Sequence, residues 1–228
     1  MSHGQSDLVR VLLNSIDKHL VFRKKIEVCI TYNIHEKIIE EKFNNFSIST
    51  IKNVRPKGFA DNHNSVFNFF DPDLFFIINP DIEFFSRFDL NDFVKKIPRF
   101  GLASPVILDH NFNLEDFVRT NLTPISILKR RIQKNTNIKK FDWVAGMFLA
   151  FNKQSFISVQ GFDPRYFLYV EDCDISNMVT KKGGLLKVIE SHKVIHRAQR
   201  KSNRSAKYFF IHLKSLLYYW QKKILGIL

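Results

Sequence analysis

Short apolar runs alternate with segments of helical spacing along the first half of the chain, and this alternation limits the possible folds. The runs predict buried strands at residues 26–32, 48–51 and 74–78. The segments around them predict helices at residues 8–20, 34–43 and 62–69. Strands that alternate with helices through short loops are typical of an α/β domain with a Rossmann-like, mostly parallel central sheet flanked by helices.

Polar residues stand at the ends of three of the predicted strands. Asn33, Asn53 and the turn Asn79-Pro80-Asp81 stand where these strands end. Ligands of open α/β sheets bind at the carboxyl ends of the strands. These residues are therefore candidates for binding a substrate or a cofactor.

The second half of the chain is less regular. It predicts strands at residues 101–108, 185–189 and 194–195, a basic connecting loop or helix over 115–140, and an aromatic, basic helix from residue 208. We therefore predict one domain over residues 1–206, followed by a basic amphipathic helix over residues 207–228.

Composition and charge narrow the possible functions. Hydrophobic residues make up 45% of the 228 residues, which is enough for a sizeable core. The formal net charge of +13 suits nucleic acid, an anionic membrane surface or a phosphate-bearing substrate. Cys29 and Cys173 form no disulfide framework, which favours a reducing compartment. Because neither a signal peptide nor a transmembrane run is visible, we expect a cytoplasmic protein.

Two acidic segments are candidates for chemistry. Asp81 ends a predicted strand, where a carboxylate can hold Mg²⁺ against substrate phosphates, although Asn, Pro and Asp also form ordinary turns. Glu171, Asp172 and Asp174 crowd three carboxylates into four residues. Such crowding raises pKa values and suits a general base, but it is also typical of a helix N-terminus.

A histidine and several basic residues form the third candidate. His196 follows the apolar pair Val194-Ile195 and is predicted to end a strand. Arg197 and Arg200 come next and can contact phosphates. A structural histidine with a solvated basic loop is the alternative.

The spacing of these motifs resembles a known family. Residues 142–148 read DWVAGMF, residues 161–174 read GFDPRYFLYVEDCD, and Gly183-Gly184 and the late His196 follow. This order resembles family-2 glycosyltransferases of the rhamnosyltransferase-like type, which act in bacterial surface-polysaccharide (O-antigen) synthesis. Upstream, the residues Asn53, Gly58, Asn62 and Asn64 resemble the family's Asn-x-Gly-x-x-x-Asn region. Asn79-Pro80-Asp81 resembles its Asp-x-Asp-type metal motif.

The resemblance implies a GT-A fold and an inverting transfer of sugar from a nucleotide diphosphate to an acceptor hydroxyl. It implies that Asp81 and His196 bind Mg²⁺ or Mn²⁺, that Asp172 is the general base, and that Glu171 contacts the acceptor or orders the site. The donor-binding residues that we expect are Asn33, Asn53, Gly58, Asn64, Asn79, Arg197 and Arg200. Trp143 and Gly146 are expected to shape the floor under the sugar, although Trp143 also suits core packing. Rhamnose from dTDP-rhamnose is the first candidate donor, with UDP-hexoses or galactofuranose as alternatives.

The start of the chain departs from the family pattern. Ser2, His3 and Gly4 resemble the tail of the family's first strand, and residue 6 is already close to the first predicted helix. We therefore expect a sheet without that first strand, with residues 26–32 as its second strand.

The C-terminal helix has two interpretations. Its aromatic, leucine and lysine residues suit a helix that lies on an anionic membrane, and equally a helix that is docked on the core. The resemblance adds a glycan or lipid-linked saccharide as acceptor, with peripheral contact to the inner face of the membrane.

The competing functions are a non-catalytic sugar-nucleotide or glycan-binding remnant, a basic nucleic-acid-binding protein and a nucleotidyltransferase. Apolar strands argue against nucleic acid, and no N-terminal glycine-rich loop supports a nucleotidyltransferase.

Overall fold

The computed structural model describes residues 1–120, 122–130, 138–197 and 206–228. The helices are α1 (Ser6–His19), α2 (Phe59–Phe70), α3 (Leu90–Lys96), α4 (Pro124–Arg130), α5 (Lys153–Ser158), α6 (Glu171–Lys181) and α7 (Ala206–Ile224). The strands are β1 (Leu20–Val21), β2 (Glu27–Tyr32), β3 (Ser47–Lys52), β4 (Leu74–Ile78), β5 (Ile82–Glu83), β6 (Phe88–Asp89), β7 (Gly101–Leu108), β8 (Val118–Arg119), β9 (Trp143–Val144), β10 (Phe148–Asn152) and β11 (Leu185–His196).

Five strands form the central sheet, in the order β4-β10-β7-β11-β5. β11 runs parallel to β7, whereas β10 is antiparallel to both β4 and β7, and β5 is antiparallel to β11. The α/β class with a helix-flanked sheet is confirmed, and its strand directions are mixed. β10 is antiparallel to β4, since its first residue, Phe148, pairs with Ile78, the last residue of β4. The chain therefore enters β10 at the edge of the sheet where β4 ends.

The strands β2 and β3 form a separate parallel pair. Within the described ranges, this pair shares no ladder with the central sheet. Ser2 bridges Tyr32 in the parallel sense: its N–H donates to the carbonyl of Thr31 at 2.7 Å, and its own carbonyl accepts from Asn33 at 2.9 Å. The resemblance of residues 2–4 to the tail of a strand beside β2 agrees with this pairing.

The predicted helix over residues 34–43 is wrong, because this segment is irregular. Its polar groups bond to neighbouring elements instead of to one another. The Glu36 carboxylate accepts the N–H groups of Gly4 and Gln5 at 3.0 Å each, at the N-terminal end of α1. The N–H of Ile39 donates to the Tyr32 hydroxyl at 2.8 Å. Tertiary hydrogen bonds therefore replace the helical ladder here.

Phenylalanine fills much of the core. Phe84, Phe88 and Phe148 lie with ring centroids 5.1–6.3 Å apart beneath the sheet and are almost fully buried. A second group of rings, Phe67, Phe75 and Phe156, packs between α2, β4 and α5. Such edge-to-face contacts add stabilisation beyond area burial.

The strands predicted at 185–189 and 194–195 form one strand, β11, which has an irregularity between Ile189 and Lys193.

The helix α7 docks on the domain through one face. Leu216 and Tyr219 pack against Tyr166 and Cys173 in a second apolar cluster. Core docking, one of the two interpretations of this helix, is thus observed. None of the helices in the described part of the chain combines the length and apolar character that crossing a bilayer requires.

Candidate active site

A cavity of about 370 Å³ opens at the sheet edge where β4 ends, β10 begins and α6 begins. Six of the predicted site residues line it: Asn79, Asp81, Trp143, Gly146, Glu171 and Asp172. They come from segments up to about ninety positions apart in the chain, so the fold assembles what the sequence presents as separate motifs.

Strand pairing brings Asp81 and His196 together. Asp81 directly precedes β5, and His196 ends β11, where it pairs with Ile82 in the antiparallel register. The Nε2 atom of His196 lies 3.2 Å from Oδ2 of Asp81. A carboxylate of Glu115 is 3.9 Å from the other ring nitrogen, which is too long for a hydrogen bond.

The carboxylate of Asp81 fits a divalent cation, for which Nε2 of His196, the ring nitrogen that faces Asp81, would be a second ligand. Oδ1 of Asp81 and Nδ1 of His196 are buried and make no hydrogen bond to any described residue. Carboxylate oxygen and imidazole nitrogen are both ligands for Mn²⁺-like ions, and an orphaned buried oxygen is costly without a partner. No larger cluster of acidic, histidine or cysteine side chains forms a metal site in the described ranges, so the remaining ligands would have to come from substrate and water.

The start of α6 presents two carboxyl groups in different environments. Tyr169 and Val170, just before it, have left-handed backbones with φ of 70° and 73°, a conformation that costs a β-branched residue about 1–3 kcal/mol. Asp172 is half-buried, and its Oδ2 accepts the N–H of Gly146 at 2.9 Å while its Oδ1 accepts the N–H of Cys173 at 2.8 Å. These two donors fix the orientation of the Asp172 carboxylate.

Glu171 is buried beside it. Oε2 of Glu171 has no hydrogen-bond partner among the described residues. Burial, followed by the negative charges of Asp172 and Asp174, raises the pKa of Glu171 well above its ordinary value. Of the two neighbours, Asp172 is the less buried, so it is the better placed to meet an acceptor hydroxyl.

Replacing Glu171 with Gln is expected to make stability less dependent on pH. The ordinary pKa of this carboxyl is 4.5. Above that pH the unfolded chain releases the proton while the folded chain keeps it, so folding stability falls as pH rises toward the raised pKa. Urea unfolding at several pH values should show Glu171→Gln gaining stability over the native chain as pH rises above 4.5. Glu190→Gln, at an exposed position, is the control, and parallel curves for Glu171→Gln and native protein would contradict the prediction.

The third carboxylate of the acidic motif serves a different purpose. Asp174 accepts from the hydroxyl of Tyr166 at 2.9 Å and from Nζ of Lys222 at 2.6 Å. The same Lys222 reaches Asp163 at 3.1 Å, so a lysine of α7 lies between two motif carboxylates. We call Asp163, Asp174 and Lys222 the buried ion cluster, and it ties α7 to the loop before α6.

Three of the predicted donor-binding asparagines, Asn33, Asn53 and Asn64, lie apart from the main cavity, which Asn79 lines. Oδ1 of Asn33 accepts from the side chain of Asn53 at 2.8 Å and from the N–H of Lys57 at 2.8 Å. Asn33 and Asn53 line a second cavity of about 390 Å³ at the ends of β2 and β3. Asn64 instead exchanges hydrogen bonds with the backbone of Phe162, at 2.7 Å and 3.0 Å. It therefore holds the Gly-Phe-Asp turn in place.

Close backbone approach explains the glycine at position 58. A Cβ there would lie 2.6 Å from the carbonyl oxygen of Phe167. The N–H of Phe59 donates to that same oxygen at 2.9 Å. Gly58 thus brings the start of α2 against the loop that precedes α6, which is a structural contribution to the site. At Gly146, by contrast, a Cβ would meet Asp172 only at ordinary contact distance, 3.5 Å.

The predicted arginines differ in what the structure describes. The guanidinium of Arg197 pairs with Glu83, and the backbone N–H of Arg197 donates to the carbonyl of Asp81 at 2.7 Å. Arg200 lies outside the described residues.

Trp143 is both a core residue and part of the cavity wall. It is buried, and its indole N–H donates to the carbonyl of Thr120 at 2.8 Å. The guanidinium of Arg119 lies over the ring, 5.0 Å from its centroid, and also lines the cavity. Arg119 and His212, a cavity residue from α7, were not predicted, since neither belongs to a recognisable motif.

Comparison with known proteins gives no matching family profile but does find relatives. The chain is 26% identical to "Rhamnosyltransferase WbbL" of Escherichia coli (strain K12), over 98% of this chain and 91% of that protein. It is also 26% identical to "N-acetylglucosaminyl-diphospho-decaprenol L-rhamnosyltransferase" of Mycobacterium tuberculosis (strain ATCC 25618 / H37Rv), over 61% of this chain and 52% of that protein.

A solved structure shares the fold. "Crystal structure of GalNAc-T7 with UDP, GalNAc and Mn2+" superposes with a TM-score of 0.67 and 17% identity, over 90% of this chain and 43% of that one. Sequence relatives, fold and the order of the motifs agree. The chain is a glycosyltransferase with the GT-A fold, similar in sequence to bacterial rhamnosyltransferases.

Proposed function

We propose that the protein is an inverting, metal-dependent rhamnosyltransferase that uses a nucleotide-diphosphate sugar and a lipid-linked saccharide acceptor. The observation that carries this proposal is a single cavity faced by both Asp81, 3.2 Å from His196, and the half-buried Asp172. A direct displacement at an anomeric carbon needs two functions: a cation site that binds the phosphates of the donor, and a carboxylate that acts as a base.

The chain's residues divide the reaction between them. Asp81 and His196 would hold the cation, which would supply neutralisation of the negative charge on the diphosphate of the donor. Asp172 accepts the proton of the acceptor hydroxyl while that oxygen bonds to the anomeric carbon and the nucleoside diphosphate leaves with the electron pair. The N–H of Gly146 orients Asp172, since it donates to Oδ2 at 2.9 Å.

Donor and acceptor bind on different sides of this centre. The asparagine network around Asn33 and Asn53 contacts the nucleoside, and Asn79 and Arg197 lie next to the phosphates. Arg119 and Trp143 bind the acceptor side, because a guanidinium on an aromatic ring suits both phosphate and sugar. The names of the relatives support L-rhamnose as the sugar and a polyprenyl diphosphate as the lipid. An acceptor of that kind places the enzyme at the inner face of the cell membrane, as a peripheral protein.

Donor binding is the direct test. We expect dTDP-rhamnose with Mn²⁺ to raise the melting temperature by roughly 5–10 °C at about 100 times Kd, and UDP- and GDP-sugars to do less. Asp81→Asn should lose the metal-dependent part of the shift. Asp7→Asn, at a fully exposed carboxylate on α1, should keep it.

Two outcomes would count against the proposal. If the donor raises the melting temperature without metal, and Asp81→Asn keeps this rise, then Asp81 and His196 do not hold a cation in the mechanism. Donor binding without any transfer to a lipid-linked acceptor would favour a non-catalytic sugar-nucleotide-binding protein.

A further inference from the structure

The helix α7 has two apolar faces, and only one of them packs against the described part of the chain. Ser215, Leu216, Tyr219 and Lys222 are buried against the domain. On the opposite side, the residues Phe210, Leu213, Leu217 and Ile224 recur at intervals of three, four and seven positions. They therefore form one stripe, and their side chains are 37–86% exposed.

The helix α4 extends this apolar area. Its Ile125 and Leu128 are also strongly exposed. α4 lies beside α7, because the indole N–H of Trp220 donates to the carbonyl of Leu122 at 2.7 Å and Ile127 packs against the cluster that contains Trp220. Scattered exposed apolar residues are normal, whereas exposed apolar residues gathered on two neighbouring helices indicate a binding surface.

This surface borders the active-site cavity. His212 of α7 lines the cavity, together with Leu122 and Ile127 from the α4 region. The ring of His212 lies 5.0 Å from that of Tyr169, in the strained loop that leads to Asp172. Whatever covers the surface therefore lies next to the mouth of the cavity.

The charge around the stripe is positive. Exposed lysines, Lys207, Lys214 and Lys223, lie on α7, and the helix contains no Asp or Glu. We propose that the stripe on α7 (Phe210, Leu213, Leu217 and Ile224), with Ile125 and Leu128 of α4, docks on an anionic lipid bilayer. Apolar side chains enter the interface of the bilayer and lysines meet its anionic headgroups, which is the pattern of an interfacial helix.

This docking deepens the proposed function and rests on it for its purpose. The surface and the cavity mouth adjoin, so a docked enzyme holds its acceptor site at the headgroup level. That is the level at which the sugar and diphosphate of a lipid-linked acceptor lie, while the lipid stays in the membrane.

Sedimentation with vesicles tests the surface without any sugar. We expect the full chain to bind vesicles of phosphatidylcholine with phosphatidylglycerol, and to bind pure phosphatidylcholine weakly. Leu213→Ser/Leu217→Ser should weaken vesicle binding by about tenfold or more, since polar side chains replace two leucine side chains that would enter the lipid. Lys207→Gln/Lys214→Gln should weaken binding and reduce its dependence on salt. The control is Phe69→Ser/Ile157→Ser, two exposed apolar residues of α2 and α5.

The outcomes separate this inference from the proposed function. Binding that Leu213→Ser/Leu217→Ser leaves unchanged, or that needs no anionic lipid, would overturn the docking surface. So would self-association in solution that the same variant abolishes, because a second copy would then cover the stripe. The metal-dependent donor shift must persist in this variant; if vesicles bind as expected but no donor does, the proposed function fails and the docking surface stands.

Discussion

Asp172→Asn is expected to lower kcat for sugar transfer by about 10²–10⁴-fold, because an amide cannot accept the proton of the acceptor hydroxyl. The amide oxygen can still accept the N–H of Gly146, so the fold and the donor-binding site should be retained. Single-turnover transfer at saturating donor measures the effect, and the metal-dependent melting shift checks that the donor is still bound. Asp7→Asn on α1 is the control for an exposed carboxylate.

Measurements on Glu171, the neighbouring carboxyl group, could contradict the assignment of Asp172 as the base. If Glu171→Gln abolishes transfer and Asp172→Asn reduces it only a few-fold, the base is Glu171 and the assignment above is wrong. Glu171 is buried, whereas Asp172 is more accessible to an acceptor hydroxyl, so we expect the larger loss at Asp172.

Lys222→Met is expected to lower the free energy of unfolding by about 3–5 kcal/mol, because it leaves the buried carboxylate of Asp174 without its cation and leaves Asp163 with the cation of Arg165 alone. Nζ of Lys222 lies 2.6 Å from Asp174 and 3.1 Å from Asp163, and the lysine is 4% exposed. Urea unfolding at neutral pH measures the loss. Lys214→Met, at an exposed lysine of the same helix, should change stability by less than about 0.5 kcal/mol.

A double variant separates charge from packing. Lys222→Met/Asp174→Asn removes both charges of the shortest pair, while Asp163 keeps its contacts with Arg165 at 2.7 Å and Tyr218 at 3.0 Å. Part of the lost stability should therefore return. A double variant that is no more stable than Lys222→Met would mean that lost packing of the lysine stem, rather than an unpaired charge, causes the destabilisation.

The sequence predicted the parts of the fold that depend on local pattern. Residues 74–78 form a strand with the predicted bounds, since a run of five apolar residues ended by Asn79 and Pro80 has few other stable conformations. His196 ends its strand as expected, and the helix predicted near Asp172 begins at Glu171. The α/β class and the relationship to rhamnosyltransferases are confirmed.

The features that the sequence did not predict depend on distant partners. Residues 34–43 have helical spacing, but Glu36 bonds to the N-terminal end of α1 and the backbone of Ile39 bonds to Tyr32. In the sequence, Lys222 is one of several lysines on an amphipathic helix. Only the packing of α7 on the domain brings it to Asp163 and Asp174. The roles assigned to Asp81, Asp172 and His196 stay predictions until the variants are measured.

The buried ion cluster has a consequence for how the enzyme matures. A ribosome makes α7 after every other described element, and domains begin to fold while synthesis continues. A nascent chain whose central sheet has already formed still lacks the cation between Asp163 and Asp174, and it also lacks the hydroxyl of Ser215 that donates to the carbonyl of Leu168 in the loop before α6. We therefore expect the loop before α6 to become fixed only after α7 has been made, so that the cavity is completed later than the central sheet.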